Sequence, residues 1–196
     1  MTLGNVNRRR LSVIGCAALM LVTLLPVGGA MAASPQEKKG EIRNMAMSTL
    51  DQLYSLQPSA REAIQKAAGY AVFSEISTKI LFAGGGGGKG VVVDRVSGQE
   101  TFMLMAMLQA GLGVGVTEFH LVWVFERESD LTNFVNNGFE LGADLNLQVN
   151  PGTGGGLFNG AVEVQPGVWL FQISDAGLAL DLTVEGTKYF KDPDLN

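Results

Sequence analysis

Leu81 to Arg95 reads "LFAGGGGGKGVVVDR", and the fold turns on why five glycines stand in a row there. A phosphate-binding loop needs G-x-x-x-x-G-K-S/T, because the hydroxyl after the lysine holds the magnesium ion. Lys89 does follow Gly88, but Ala83 stands where the first glycine belongs and Gly90 where the hydroxyl belongs. Such a loop also opens a helix, whose N-terminal amides bind the anion, whereas "VVVD" continues as strand. The pattern G-x-G-x-x-G can be threaded through any such run and likewise requires a following helix. The run therefore predicts strand, and no nucleotide is expected. Glycine there lets a strand bulge, or lets a neighbouring backbone or side chain come close. "LQAGLGVGVTEF" repeats the theme with Gly111, Gly113 and Gly115 on alternate residues. That spacing bares one strand face, open to a large side chain such as Phe102 or Trp123, or to a ligand lying against backbone.

Around this stretch the pattern is short apolar runs separated by Gly, Asn, Asp and Pro. "YAVFSEI", "KILFAG", "KGVVVDR", "ETFMLMAML", "EFHLVWVFE", "FELGADLNLQV", "GAVEVQPGVWLFQI" and "LALDLTVEGTKYF" read as about eight strands. Their links are too short for parallel crossovers. "ESDLTNFVNNG" interrupts them as a short helix, with Ser129 or Asp130 as cap, Leu131, Phe134 and Val135 inward, and Gly138 as the stop. Two helices precede the strands. In the first, Ser34 and Glu37 form a capping box, Pro35 takes the first turn, and Ile42, Ala46, Leu50, Leu53 and Tyr54 make an apolar stripe. In the second, Ser59 and Glu62 form the box, Ala60, Ile64, Ala67 and Ala68 share a face, and Gly69 is the stop. The expected class is α+β: two N-terminal helices, then a largely antiparallel, glycine-rich β-sheet with one short inserted helix.

The first 33 residues carry Arg8, Arg9 and Arg10, an apolar stretch from Leu11 to Leu25, and Ala30 and Ala32 flanking Met31. That is the layout of a signal peptide. The apolar stretch falls short of the ~20 residues a membrane span needs. The expected organisation is a signal peptide over 1–32, a helical segment over 33–69 and a β-rich core over 70–196. The protein is then exported, periplasmic and open to membrane association. Cys16 in "VIGC" loosely matches a lipoprotein cleavage box, but only five residues separate it from Arg10. Without Cys16 the chain has no thiol.

Charge is uneven. Residues 33–95 carry eight Lys/Arg against six Asp/Glu, and residues 96–196 three against thirteen. That argues against nucleic acid as a partner and allows an oriented approach of the front to an anionic surface. An outer-membrane barrel fits poorly: "FMLMAML" and "HLVWVF" are continuously apolar and aromatic girdles are absent.

The glycine-rich segments also carry a family resemblance. "GYAVFSEISTKILFAGGGGGKGVVVDRVSGQ" resembles the signature of the SYLF domain family, with its G-x-A-V-F, a lysine, a glycine cluster and G-V-V-x-x-R. "LQAGLGVGVTEFHLVWVF", "FVNNGFELGADLNLQVNPG" and "GLALDLTVEGTKYFKDPDLN" are similar to later family segments in the same order. The resemblance runs from about Ala46 to the C-terminus, closest to the exported bacterial branch. It implies a lipid- or membrane-binding module without catalysis. In the eukaryotic branch it implies phosphoinositide and, in fungal members, actin association, with the N-terminal helix and basic residues in lipid contact. The chain departs from the pattern at Ser74 (usually proline), at Glu118 (usually aspartate), at "QETFMLM" in place of a tryptophan–serine strand, and at Asp175 to Gly177, where a lysine is missing.

The lipid-contact candidates are Lys38, Lys39 and Arg43 on the first helix and Lys79, Lys89 and Arg95 around the glycine strand. A solvated cationic face is the competing reading. His120 is the single histidine and sits in an apolar strand, the position of a packed or hydrogen-bonded residue. With no second histidine, no metal site or Cys–His pair is expected. Glu126, Glu128 and Asp130 lead into a helix N-terminus, where negative charge is stabilised by the dipole. "KDPDLN" reads as a solvated acidic tail. No catalytic residue, cofactor or metal is assigned. The expected partner is lipid or an anionic membrane surface. The alternative is a structural or interaction module that self-associates or binds an envelope protein, and a hydrolase ranks last.

Overall fold

Helix α1 (Pro35–Leu56) begins as the capping box requires: Ser34 N donates to Glu37 Oε2 at 2.7 Å and Glu37 N to Ser34 Oγ at 3.3 Å. In this computed structural model the described residues are 33–141, 156–174, 176–179 and 186–196, without the side chains of 75–84, 108–117, 141 and 179. The expected signal peptide over 1–32, with Cys16, lies outside them, as do parts of two expected strands, 142–149 and 180–185. The stripe of α1 faces the sheet as expected. Ile42, Ala46 and Leu53 are buried, and Leu50 and Tyr54 are half-buried.

Helix α2 (Ser59–Lys66) corrects a detail. Pro58 occupies the cap, and Ser59 makes no capping bond. Its hydroxyl instead accepts from Gln57 Nε2 at 2.7 Å and donates to Leu157 O at 3.2 Å, tying α2 to a short 3-10 turn, Gly156–Phe158. A hydroxyl with a distant partner is lost to the local box.

The next two elements are far longer than the sequence pattern suggests. Strand β1 (Gly69–Asp94) and strand β2 (Glu100–Phe125) form one hairpin, paired from Gly69 opposite Phe125 to Val93 opposite Glu100. A single register shift falls between Leu81 and Ala83. Three expected strands fuse in β1 and two in β2. The glycine run is extended backbone, since no glycine of 84–90 is among those with positive φ. Its use is close approach. A Cβ on Gly88 would collide with Ser74 O, and one on Gly90 with Val72 O and the Phe73 ring; one on Gly69 would lie 2.6 Å from Val93 O. The two halves of β1 thus press on one another, folding the hairpin over itself. Arg95 N completes the closure by donating to Ala68 O at 3.0 Å.

Helix α3 (Glu128–Asn137) follows β2. Arg127, and neither Ser129 nor Asp130, stands at its cap. Asp130 is taken by Arg127, whose Nε lies 2.6 Å from Oδ2. Gly138 ends the helix at φ +72° as expected. The remaining strands are β3 (Phe139–Leu141), β4 (Val162–Gln165), β5 (Val168–Ser174), β6 (Gly177–Ala179) and β7 (Thr187–Lys191). The sheet order is β3-β7-β2-β5-β4, with β1 also on β2 and β6 on β5, and every described pairing is antiparallel. The α+β architecture is the one expected.

Each face of the sheet has its own core. On one face Phe73, Trp123, Phe125, Phe134 and Tyr189 interlock under α3, with Phe73–Tyr189 centroids 4.9 Å apart and Trp123–Tyr189 5.2 Å at 82°. Such edge-to-face pairs follow the ring quadrupole. On the other, Val72, Val122, Val124, Phe171 and Ile173 pack beneath α1 and α2. Trp123 lies in the aromatic cluster and Phe102 in the α1-side core; the surroundings of Gly111, Gly113 and Gly115 lie outside the described side chains. "KDPDLN" is not a solvated tail. Leu195 is buried, Asp192 is 7% exposed, and Asn196 Nδ2 donates to Phe102 O at 2.8 Å while its Oδ1 accepts from Phe102 N at 2.9 Å.

Candidate functional site

The α1-side face of β1, β2 and β7 is half covered. Register places Val91 beside Phe102, Lys89 beside Leu104, and Gly87 beside Ala106; Leu104 then adjoins Phe190 and Ala106 adjoins Lys188. Residues paired in this way share a face. Helix α1 lies over the first pair, so Val91 and Phe102 are buried. Beyond it Lys89, Ala106, Lys188 and Phe190 are exposed and Leu104 half-buried. Glu140, opposite Lys188 on β3, is exposed on the same face.

The six expected cations divide by what they touch. Lys39 Nζ stands 5.2 Å from the Phe102 ring centroid, and Arg43 Cζ 5.3 Å from it. Arg43 is also bound to Glu100, Nε to Oε2 at 2.8 Å and Nη2 to Oε2 at 2.7 Å. That hydrogen bond raises the Arg43 pKa further above its ordinary value. Arg95 Nη1 donates to Gln65 O and, at 3.3 Å, to Ala67 O. It therefore satisfies carbonyls left open at the end of α2. Lys38 and Lys89 make no ion pair among the described residues. Lys79 pairs in register with Gly115, and its side chain lies outside the described ones. So Lys38, Lys39 and Lys89 remain available, while Arg43 and Arg95 are engaged within the fold.

Lys188, Phe190 and Leu104 escaped the sequence reading. "TKYFK" does alternate buried and exposed positions at Thr187, Lys188 and Tyr189, but only strand order brings it beside Lys89. Between α1 and β1 runs a groove of about 280 Å³, lined by Ile42, Met45, Ser74, Gly87 and Gly88, with Glu41 and Lys89 as its charged side chains. A second cleft of about 200 Å³ beneath α3 is polar. Its charged groups are occupied: Asp94 accepts from Ser97, and Lys191 Nζ donates to Asn136 at 3.0 Å.

His120 Nδ1 is buried without a partner, and Nε2 lies 4.0 Å from Glu118 Oε1. Among the described residues no three His, Cys, Asp or Glu side chains gather as metal ligands, and no helix is long and apolar enough to cross a membrane.

Residues 106–196 match the model of the Ysc84 family, described as Las17-binding protein actin regulator. Beta cell expansion factor A of Aeromonas veronii is 31% identical over 162 residues, 82% of this chain. Over residues 106–196 the chain is a SYLF-family domain. The chain spans 59% of the length of that curated relative. The SYLF family match begins at Ala106, so it covers β7 with Lys188 and Phe190, while the cations from Lys38 to Arg95 precede it.

Proposed function

We propose that this chain is a non-enzymatic lipid- or membrane-surface-binding module of the bacterial cell envelope, exported to the periplasm. The family is one of lipid- or actin-binding modules, and lipid is the member of that pair an exported protein meets. The observation that carries the reading is the exposed sheet face beside α1, where Lys89 and Lys188 stand against Leu104 and Phe190. Headgroups need cations, the hydrocarbon boundary needs apolar side chains, and this face offers both. Lys38 and Lys39 add charge at the edge of α1. Each cation at an anionic surface contributes ~1 kcal/mol, so binding is weak and salt-sensitive. The acidic remainder of the chain orients the contact by repulsion.

Pelleting with phosphatidylglycerol vesicles tests this. The full chain is expected to sediment at low salt and release at high salt, because screening shortens the reach of these charges. Reversing Lys38, Lys39, Lys89 and Lys188 together should abolish sedimentation. Arg43→Gln combined with Glu100→Gln should leave it nearly unchanged, since the two paired charges already cancel. Equal sedimentation of the fourfold variant would refute the assignment.

A further inference from the structure

Glycine is required on one face of β1 and not on the other. Gly88 and Gly90 point to the face where the strand's own first half presses close, and any Cβ there collides. Gly85 and Gly87 point the opposite way. Neither has a positive φ, and a Cβ would lie 3.5 Å from Met107 O or 3.6 Å from Met105 O, ordinary contact distances. Glycine inside a strand costs stability relative to a residue with a side chain. The fold gives no return for it at Gly87, which forms the floor of the groove beneath Ile42 and Met45.

We propose that Gly87 keeps this groove open for the hydrocarbon chain of a fatty-acid carboxylate, whose charged end pairs with Lys89. The proposal rests on the lipid reading above and names the ligand of its groove. Besides Ser74 and the two charged residues, the lining is two apolar side chains and bare backbone, and methionine adapts its shape to an irregular guest. At about 280 Å³ the groove falls at the lower limit of small-molecule sites, which suits one chain rather than a folded partner. Lys89 makes no ion pair among the described residues, so its charge is available to the ligand. Glu41, the other charged group, repels an anion and so sets which way the chain lies.

Dodecanoate, titrated calorimetrically into the full chain below its micelle concentration, tests the proposal. Saturable one-to-one binding is expected. Gly87→Leu should fill the groove and weaken binding by at least about tenfold without lowering the thermal midpoint. Lys89→Gln should also weaken it, while Glu41→Gln should bind as tightly or tighter. Met45→Glu provides an independent loss from the helix side. No uptake by the unaltered chain, or equal affinity in Gly87→Leu and Met45→Glu, would overturn the proposal. Phosphatidylglycerol vesicles run in parallel separate the two ideas. Pelleting without dodecanoate uptake sinks the groove alone, and uptake without pelleting sinks the membrane-surface reading alone.

Discussion

Gly88 and Gly85 are three residues apart in one strand and respond oppositely to substitution. Gly88→Ala forces a methyl group onto Ser74 O, and overpacking of this kind costs about 1–3 kcal/mol. Gly85→Ala adds a methyl group in ordinary contact and removes backbone freedom from the unfolded chain, a gain of up to about 1 kcal/mol. Urea midpoints of the two variants should therefore move in opposite directions. The general role of the glycines was legible in the sequence, because a run continuing into "VVVD" cannot head a phosphate-binding helix. Which glycines are pressed was not legible, because it depends on the two halves of β1 meeting. The same limit hid the partners of the cations. Arg43 and Glu100 are 57 residues apart, and Arg95 reaches 30 residues back to Gln65.

At the scale of the element, α1 was readable nearly to the residue because its signals are local. Ser34, Pro35 and Glu37 lie within one turn of each other. A Cβ on Gly40 would meet nothing within 4 Å, so Gly40→Ala should stabilise α1 by ~1 kcal/mol, seen as a higher thermal midpoint. The capping box also sets an acid limit. Hydrogen bonds from Ser34 lower the Glu37 pKa from its ordinary 4.5. Its stabilising effect is thus fully present above that value and lost as pH falls through the lowered one. Glu37→Gln should flatten that part of an acid-unfolding profile and leave neutral stability little changed. The caps of α2 and α3 misled for a common reason. Ser59 and Asp130 were the right residue types, but Leu157 and Arg127 hold them elsewhere. Strand length misled too, since glycines that usually punctuate strands here extend one.

Across the whole molecule the C-terminus acts as a fastener. Asn196 bonds both backbone groups of Phe102, 94 residues away, and Phe102 in turn lies beneath Lys39 and Arg43 of α1. Asn196→Ala leaves the Phe102 N–H unmet, while its carbonyl keeps the bond from Asp192 N at 3.0 Å, a cost of about 1–3 kcal/mol. The loss should appear in chemical denaturation and as faster amide exchange at Phe102 and at the N-terminal half of α1. The antiparallel class and the two helices were visible from period and link length. The fastener was not, because a short polar, acidic ending has the composition of a solvated tail and only its partner shows otherwise.

The hairpin is finished early and enclosed late. Strand β2 receives β1 on one edge, but its other edge waits for β5 and β7, which follow only after α3, β3 and β4. While the chain is being synthesised, "HLVWVF" is a sticky ladder without its proper neighbours, the situation in which unrelated strands add on. A holding chaperone, or speed, would therefore favour safe folding until β5 and β7 arrive.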